Sequence, residues 1–162
     1  MEKLTEFEAT LDDMMAAHQA SDGDIDLLGE AVRFLEGELL PHFEREERFL
    51  LPPLEARVGR FGSLVGVIAY EHGEVRREVG KIKEGLAALK AARGGPQAAE
   101  IEEVNRHGIF TVQFLWDHFR KEKQSLFPTA REVLTADELE ALGRSLAGPA
   151  TASGSGPGRA PR

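Results

Sequence analysis

The chain has 162 residues, 28 of them acidic and 20 basic, with five histidines, no cysteine and a formal net charge of −8. Without thiols there is no disulfide framework, cysteine-ligated zinc, iron–sulfur cluster or CxxC redox pair, so any metal must be held by histidine and carboxylate. The acid excess argues against nucleic acid or an anionic membrane surface as a partner. The N-terminal MEKLTEFEATLDD carries acids where a signal peptide has its apolar core, and no apolar run approaches the ~20 residues of a membrane span, so a cytoplasmic protein is expected.

Four stretches carry heptad-like apolar spacing, the mark of helices with one buried face. Leu4, Phe7, Leu11, Met14 and His18 define the first. After the turn-like Ser21-Asp22-Gly23-Asp24, the second runs through Ile25, Leu28, Val32, Leu35, Leu39, His42, Glu46 and Phe49 and is expected to end at Pro52-Pro53. Pro41 lies inside it and should kink the backbone against the carbonyl of Gly37, where no side chain obstructs the bend. A loop over 58–62 precedes Ser63, an N-cap candidate, and the third helix follows with Val65, Ile68, His72, Val75, Val79, Ile82, Leu86 and Leu89, stopped by Gly94-Gly95-Pro96. The fourth carries Ile101, Val104, Gly108, Thr111, Leu115, His118, Glu122 and Leu126 and ends near Pro128 or a turn later. Thr135-Ala136-Asp137-Glu138 reads as the capping box of a short fifth helix. Residues 148–162, all Gly, Pro, Ser, Ala, Thr and Arg, cannot bury enough to order and are expected to be a disordered tail. No segment alternates with period two. The reading is all-α: an up-down-up-down antiparallel four-helix bundle over 1–147, a short C-terminal helix within it, and the tail.

Polar residues at core positions are the anomaly. His42, Glu46, His72, His118 and Glu122 fall where the apolar pattern points inward, and an unpaired carboxylate there would cost several kcal/mol. Two of the pairs form an internal repeat: 39–52 aligns without gaps with 115–128 at an offset of 76, and both copies read HFxxE. A His and a Glu four apart stack on one helix face. Numbers symmetric about the turns near 58 and 95 put His72 level with His118 and with the 42–46 segment. Three histidines and two glutamates thus reach one layer, a donor set suited to a pair of iron or manganese ions.

The order His, HxxxE, His, HxxxE, with LLPHFEREE, YEH and HFRKE...LFP around it, resembles the hemerythrin-like (HHE cation-binding) domains over roughly residues 1 to 134. The resemblance implies a four-helix bundle with a non-haem di-iron centre rather than manganese, in which Glu46 and Glu122 bridge and His42, His72 and His118 are terminal ligands. Two departures qualify it. Oxygen-carrying members have a second histidine one turn along the third helix, where this chain has Arg76, and an aspartate in place of the fourth-helix HxxxE, so redox, nitric-oxide, peroxide or iron-handling members are closer. The family also has a first-helix histidine, and His18 is the one candidate; yet it stands opposite residue 26, some 16 residues from His42, about 24 Å at ~1.5 Å per residue. The ligand is then lost, replaced by Glu2 or Glu6, placed before an assumed start or, where the helices depart from ideal register, supplied by His18 after all.

Other residues receive plainer readings. His107 lies nearly on the His118 face but about 16 Å along the helix, and is taken as independently satisfied. Tyr70 is assigned to packing at the bundle end, and Phe110, Phe114 and Trp116 to core or interhelix packing. The functional expectation is an iron protein that handles O2, peroxide or NO, as a binder or sensor or as an oxidoreductase needing an external electron donor. An iron store or donor, or a structural bundle without metal, is the alternative. No classical hydrolase or transferase motif is present, and the sequence leaves the oligomeric state open.

Overall fold

A computed structural model describes residues 2–60 and 63–147. Among these the chain is helical throughout, with no strand, and no helix is long and apolar enough to cross a membrane. The expected tail at 148–162 lies outside the described residues, as do Phe61 and Gly62 of the expected loop.

Helix α1 is Glu2–Ala17, and it stops at His18, whose φ of 52° is a left-handed conformation that ends a helix. Helix α2 (22–58) starts earlier than the apolar pattern suggests. Ser21 and Asp24 close a reciprocal capping box: the Ser21 hydroxyl accepts from the Asp24 N–H at 3.1 Å, and Asp24 accepts from the Ser21 N–H at 2.8 Å. Helix α3 is Leu64–Ala91, capped by Ser63. Helix α4 (98–133) and helix α5, Ala136–Leu146, complete the chain, the last beginning at the Thr135–Glu138 capping box.

Neither α2 nor α4 ends at its proline: α2 runs on past Pro52-Pro53 to Val58, which corrects the expectation from the sequence, and α4 ends at Val133, about a turn after Pro128 as expected. Three π-turns explain why: Leu35–Leu39, Glu46–Leu50 and Glu122–Leu126 each widen the helix by one residue per turn, and Pro41, Pro52 and Pro128 follow two positions later. The N–H just before each proline bonds five residues back, Leu40 to Leu35, Leu51 to Glu46 and Phe127 to Glu122. A proline ring in a regular helix collides with the carbonyl four back; the wide turn moves that carbonyl aside. Gly37 is not needed for clearance, since a Cβ there would meet nothing within 4 Å.

Helix α1 packs on α2 and α4, and α3 packs on α2 and α4. Contacts fix the register between them. Gly108 of α4 lies against Leu11 and Phe7, and Gly85 of α3 against Val104, at distances where a Cβ would meet side-chain atoms at 2.5 Å and 2.3 Å. Asn105 donates to the Leu11 carbonyl at 3.3 Å, so α1 and α4 run in opposite directions. Phe7 has only five described residues before it, whereas His118 lies ten beyond Gly108. Helix α1 therefore falls short of the His118 level, and α5 packs instead against 40–45 and 46–50 of α2.

The apolar interior is divided in two. The larger core takes Leu4, Leu11, Leu28, Leu35, Phe43, Val75, Ile82 and Leu115 among others. The smaller one gathers Leu50, Leu54, Ile68, Leu126 and Ala130, with Leu139 and Leu142 of α5 leaning on it. A buried polar layer separates them.

Candidate metal centre

Glu46, His72, His118 and Glu122 form that layer. Each presents one donor atom, and the four atoms lie within 4.8 Å of one another, all on buried residues. The local helix explains the aim: residues four apart share a face, so His118 and Glu122 bring Nε2 and Oε1 to 2.8 Å without the alignment of a hydrogen bond. Glu46 sits 3.5 Å from His72 Nε2 through one oxygen and 3.5 Å from His42 Nε2 through the other. Both glutamates are also the first residues of π-turns, a distortion frequent at functional sites.

His42 differs from the other two histidines. Its side chain is 35% exposed and it stands at the edge of the four-atom cluster, reaching it through Glu46. His72 and His118 have no exposure at all.

Two carboxylates missed in the sequence reading hold those buried rings. His72 Nδ1 lies 2.9 Å from Glu47, which accepts two hydrogen bonds from the Arg76 guanidinium at 2.8 and 2.9 Å. His118 Nδ1 lies 2.8 Å from Glu71, itself paired with Lys121. A carboxylate at Nδ1 fixes the tautomer and leaves Nε2 as a lone pair for a metal. Arg76 is thus the clamp on Glu47. The available signal was adjacency: each carboxylate neighbours a candidate ligand, Glu47 after Glu46 and Glu71 before His72.

The aromatic ring of Phe43 stacks on His72 with centroids 4.0 Å apart and 11° between planes, closing the layer toward the larger core. Electrostatics show what the layer costs without a cation. Burial, then the neighbouring Glu122, pushes the Glu46 carboxyl up to about 9. Glu122 moves the other way: burial raises it, but His118 more than offsets that and holds it below the usual carboxylate range. One proton is therefore kept on the pair. Burial drives His72 down to about 4, and His118⁺ opposes its protonation further. Burial also lowers His118, but the Glu122 and Glu71 carboxylates outweigh it and raise the group overall.

Among the described residues six buried side-chain polar atoms lack a hydrogen-bond partner: both Glu46 oxygens, His72 Nε2, His118 Nε2, Glu122 Oε1 and Arg45 Nε. An orphaned buried polar atom costs about 1–3 kcal/mol, more if charged. Five orphans on four clustered residues, two imidazoles and two carboxylates, fit hard or borderline cations, which would give these buried atoms partners.

The first-helix candidates do not join them. His18 is exposed at the end of α1, and Glu2 and Glu6 are exposed, Glu6 paired with Lys3. His107 is bound to Glu78 at 2.6 Å and Glu103 at 3.0 Å, away from the cluster. Tyr70 is 66% exposed, and Phe110 and Trp116 are exposed as well, which corrects their assignment to packing. Both aromatic-bearing faces of α3 and α4 point outward there. Phe114 does lean on the larger core, with Phe110 stacked on it at 5.4 Å.

The hemerythrin HHE cation-binding family profile matches residues 2–130. The chain belongs to that family. No curated protein and no solved structure matches it.

Proposed function

We propose that this protein is an up-down-up-down four-helix bundle holding a non-haem centre of two iron ions, and that it handles O2, peroxide or NO. The observation that carries the reading is the group of five orphaned donor atoms on Glu46, His72, His118 and Glu122 between the two apolar cores. Glu46 and Glu122 would hold the metal as carboxylates able to bridge, and His42, His72 and His118 through Nε2. When bound, the iron supplies Fe(II)/Fe(III) redox chemistry and open positions for a small ligand.

The residues themselves do the rest. Glu47 and Glu71 keep His72 and His118 in the Nδ1–H tautomer and prevent the rings from rotating. Phe43 excludes water on one side. The proton held by the Glu46–Glu122 pair must leave when a cation enters, so metal uptake is coupled to proton release. Half-exposed His42, with no carboxylate on its Nδ1, is the point through which solvent and small molecules reach the layer.

Protein purified without oxygen is expected to carry about two irons per chain and to develop charge-transfer bands on exposure to O2 or peroxide. Absence of metal, or metal content unaffected by joint replacement of His42 and His118 by Ala, overturns the reading. The exposure of His42 also favours one second reading, an iron store or donor. Rapid loss of iron to a chelator, without turnover of peroxide or NO by added reductant, would favour that role.

A further inference from the structure

His107 stands about 16 Å along α4 from His118, yet it repeats that residue's arrangement. Its Nδ1 lies 2.6 Å from Glu78 of α3, and its Nε2 lies 3.0 Å from Glu103, four residues back on α4. At His118 the corresponding partners are Glu71 of α3 and Glu122, four residues on, each at 2.8 Å. The His107 and Glu78 side chains are nearly buried, 13% and 14% exposed.

A neutral imidazole has one N–H and one lone pair. With the N–H given to Glu78, the Nε2 lone pair faces an oxygen of Glu103, and two acceptors that close repel unless a cation lies beside them. Arg106 supplies the cation: its Nη2 is 2.6 Å from each Glu103 oxygen and 3.3 Å from His107 Nε2. One nitrogen thus fills the point that three lone-pair atoms face. The Arg106 side chain is 66% exposed, and an exposed pair of this kind is weak, so the guanidinium can swing into solvent. The other positive groups nearby are engaged, Lys81 with Glu84 at 2.9 Å and Arg77 with Glu74. Surface clefts of about 360 and 200 Å³, both lined by Arg106 and His107, leave room for water to complete a coordination shell.

We propose that this is a second metal site, at which a divalent transition-metal ion replaces the Arg106 guanidinium between His107 Nε2 and the Glu103 carboxylate while Glu78 holds Nδ1. An ion with bonds of about 2.1 Å to two atoms 3.0 Å apart sees them at about 90°, the cis angle of tetragonal or octahedral coordination. Imidazole and carboxylate at that angle suit Ni(II) or Cu(II). The carboxylate–imidazole–metal chain from Glu78 fixes the tautomer, as Glu71 does at His118. The outer site shares no residue with the central layer and stands whether or not that layer holds iron.

The test titrates the full chain with Ni2+, with and without excess Mg2+, and counts bound nickel by equilibrium dialysis. Wild type is expected to hold one more nickel ion than His107→Ala. His118→Ala, which disables the central layer, should keep that outer ion, whatever the layer itself binds. Glu103→Gln and Glu78→Gln should each weaken it by ~10–100-fold, the scale of a lost supporting carboxylate. Arg106→Gln should tighten it about fivefold, the order of one lost exposed ion pair, a gain that misfolding does not imitate. Mg2+, which takes oxygen ligands and avoids imidazole, should not compete. Equal nickel content in wild type and His107→Ala, loss of the outer ion in His118→Ala, unchanged or weaker binding in Arg106→Gln, or displacement by Mg2+ each overturns the proposal. Failure of wild type to take up iron overturns the reading of the central layer and leaves this one standing.

Discussion

The two HFxxE copies have the same sequence spacing and the same backbone, a helix opening into a π-turn at the glutamate, yet they are not equivalent. In the second copy His118 is fully buried, Glu71 holds its Nδ1 at 2.8 Å, and Lys121 anchors Glu71. In the first copy His42 is 35% exposed and no carboxylate supports its ring, although Glu46 beside it is completely buried. The motif fixes how each pair points along its own helix. Whether the histidine is rigid depends on what the adjoining helices offer: α3 brings Glu71 to the ring of His118, whereas none of the helices packed on α2 brings a carboxylate to Nδ1 of His42.

With that difference, the two histidines contribute unequally to metal binding. His118→Ala is expected to lower iron affinity by more than about 100-fold, since loss of a supporting residue alone costs 10–100-fold. His42→Ala should cost about tenfold, close to the lower end of that range. Competition against a chelator measures both, and equal losses would break the comparison. Glu71→Gln and Glu47→Gln sharpen it further: each should weaken iron binding by ~10–100-fold, by freeing a buried ring that the native carboxylate holds. An Arg76→Ala change that mimics Glu47→Gln would identify the clamp as a unit.

Much of this was open to reading in the sequence, and the reason is periodicity. Four apolar stripes gave the helices, and Glu46 and Glu122 stood out inside two of those stripes together with His42, His72 and His118 because acids and histidines interrupt an otherwise largely apolar pattern. The supporting residues were hidden because Glu47 and Glu71 lie one position from a ligand, on a face where acids are ordinary, and only the approach of a neighbouring helix gives them a partner. The end of α2 failed for a different cause. Pro52 reads as a stop, since a regular helix cannot absorb it, and a π-turn leaves no mark on hydrophobic spacing. Exposure of Tyr70 and Trp116 was likewise illegible, because an aromatic residue on the outer face looks locally like one on the inner face.

The two copies also divide a proton unequally in the apoprotein, and this sets a pH dependence. Glu46 titrates near 9 in the fold against about 4.5 when unfolded, mainly from burial. A raised folded pKa gives stability that is complete below the unfolded value and is lost as pH rises toward the folded one. His118, also raised, acts in the same direction above 6.5. His72, lowered to about 4, has the opposite sign but matters only below 6.5, where stability falls with falling pH. Between pH 6.5 and 9 the apoprotein should therefore lose stability as pH rises, by ~1 kcal/mol per unit, the order of one proton's linkage. Urea midpoints across that range measure the slope. Iron-loaded protein, with Glu46 ionised, should lack it, and Glu122→Gln should reduce it by removing the charge that opposes Glu46. A flat apoprotein profile would show that the Glu46–Glu122 pair holds no proton.

The smallest effect separates the copies by their prolines. Pro52 is followed by Pro53, whereas Pro128 stands alone. A regular helix through 128 would need an N–H there bonded to the carbonyl of Gln124, and Pro128→Ala supplies it, so the turn after Glu122 is free to revert to α-helical winding. In Pro52→Ala the next residue still lacks an N–H and still crowds the carbonyl of Phe49, so the turn after Glu46 should persist. Pro128→Ala is therefore expected to lose up to about 1 kcal/mol of stability, the scale of proline effects on the chain, together with a few-fold loss of iron affinity as Glu122 swings from its place. Pro52→Ala should stay within ~0.5 kcal/mol, like most substitutions away from special features, with iron binding unchanged. Identical behaviour of the two variants would mean that the neighbouring helices hold the wide turns and the prolines merely tolerate them. In that case the layer's geometry comes from packing between the two apolar cores and not from the Leu-x-Pro that follows each glutamate.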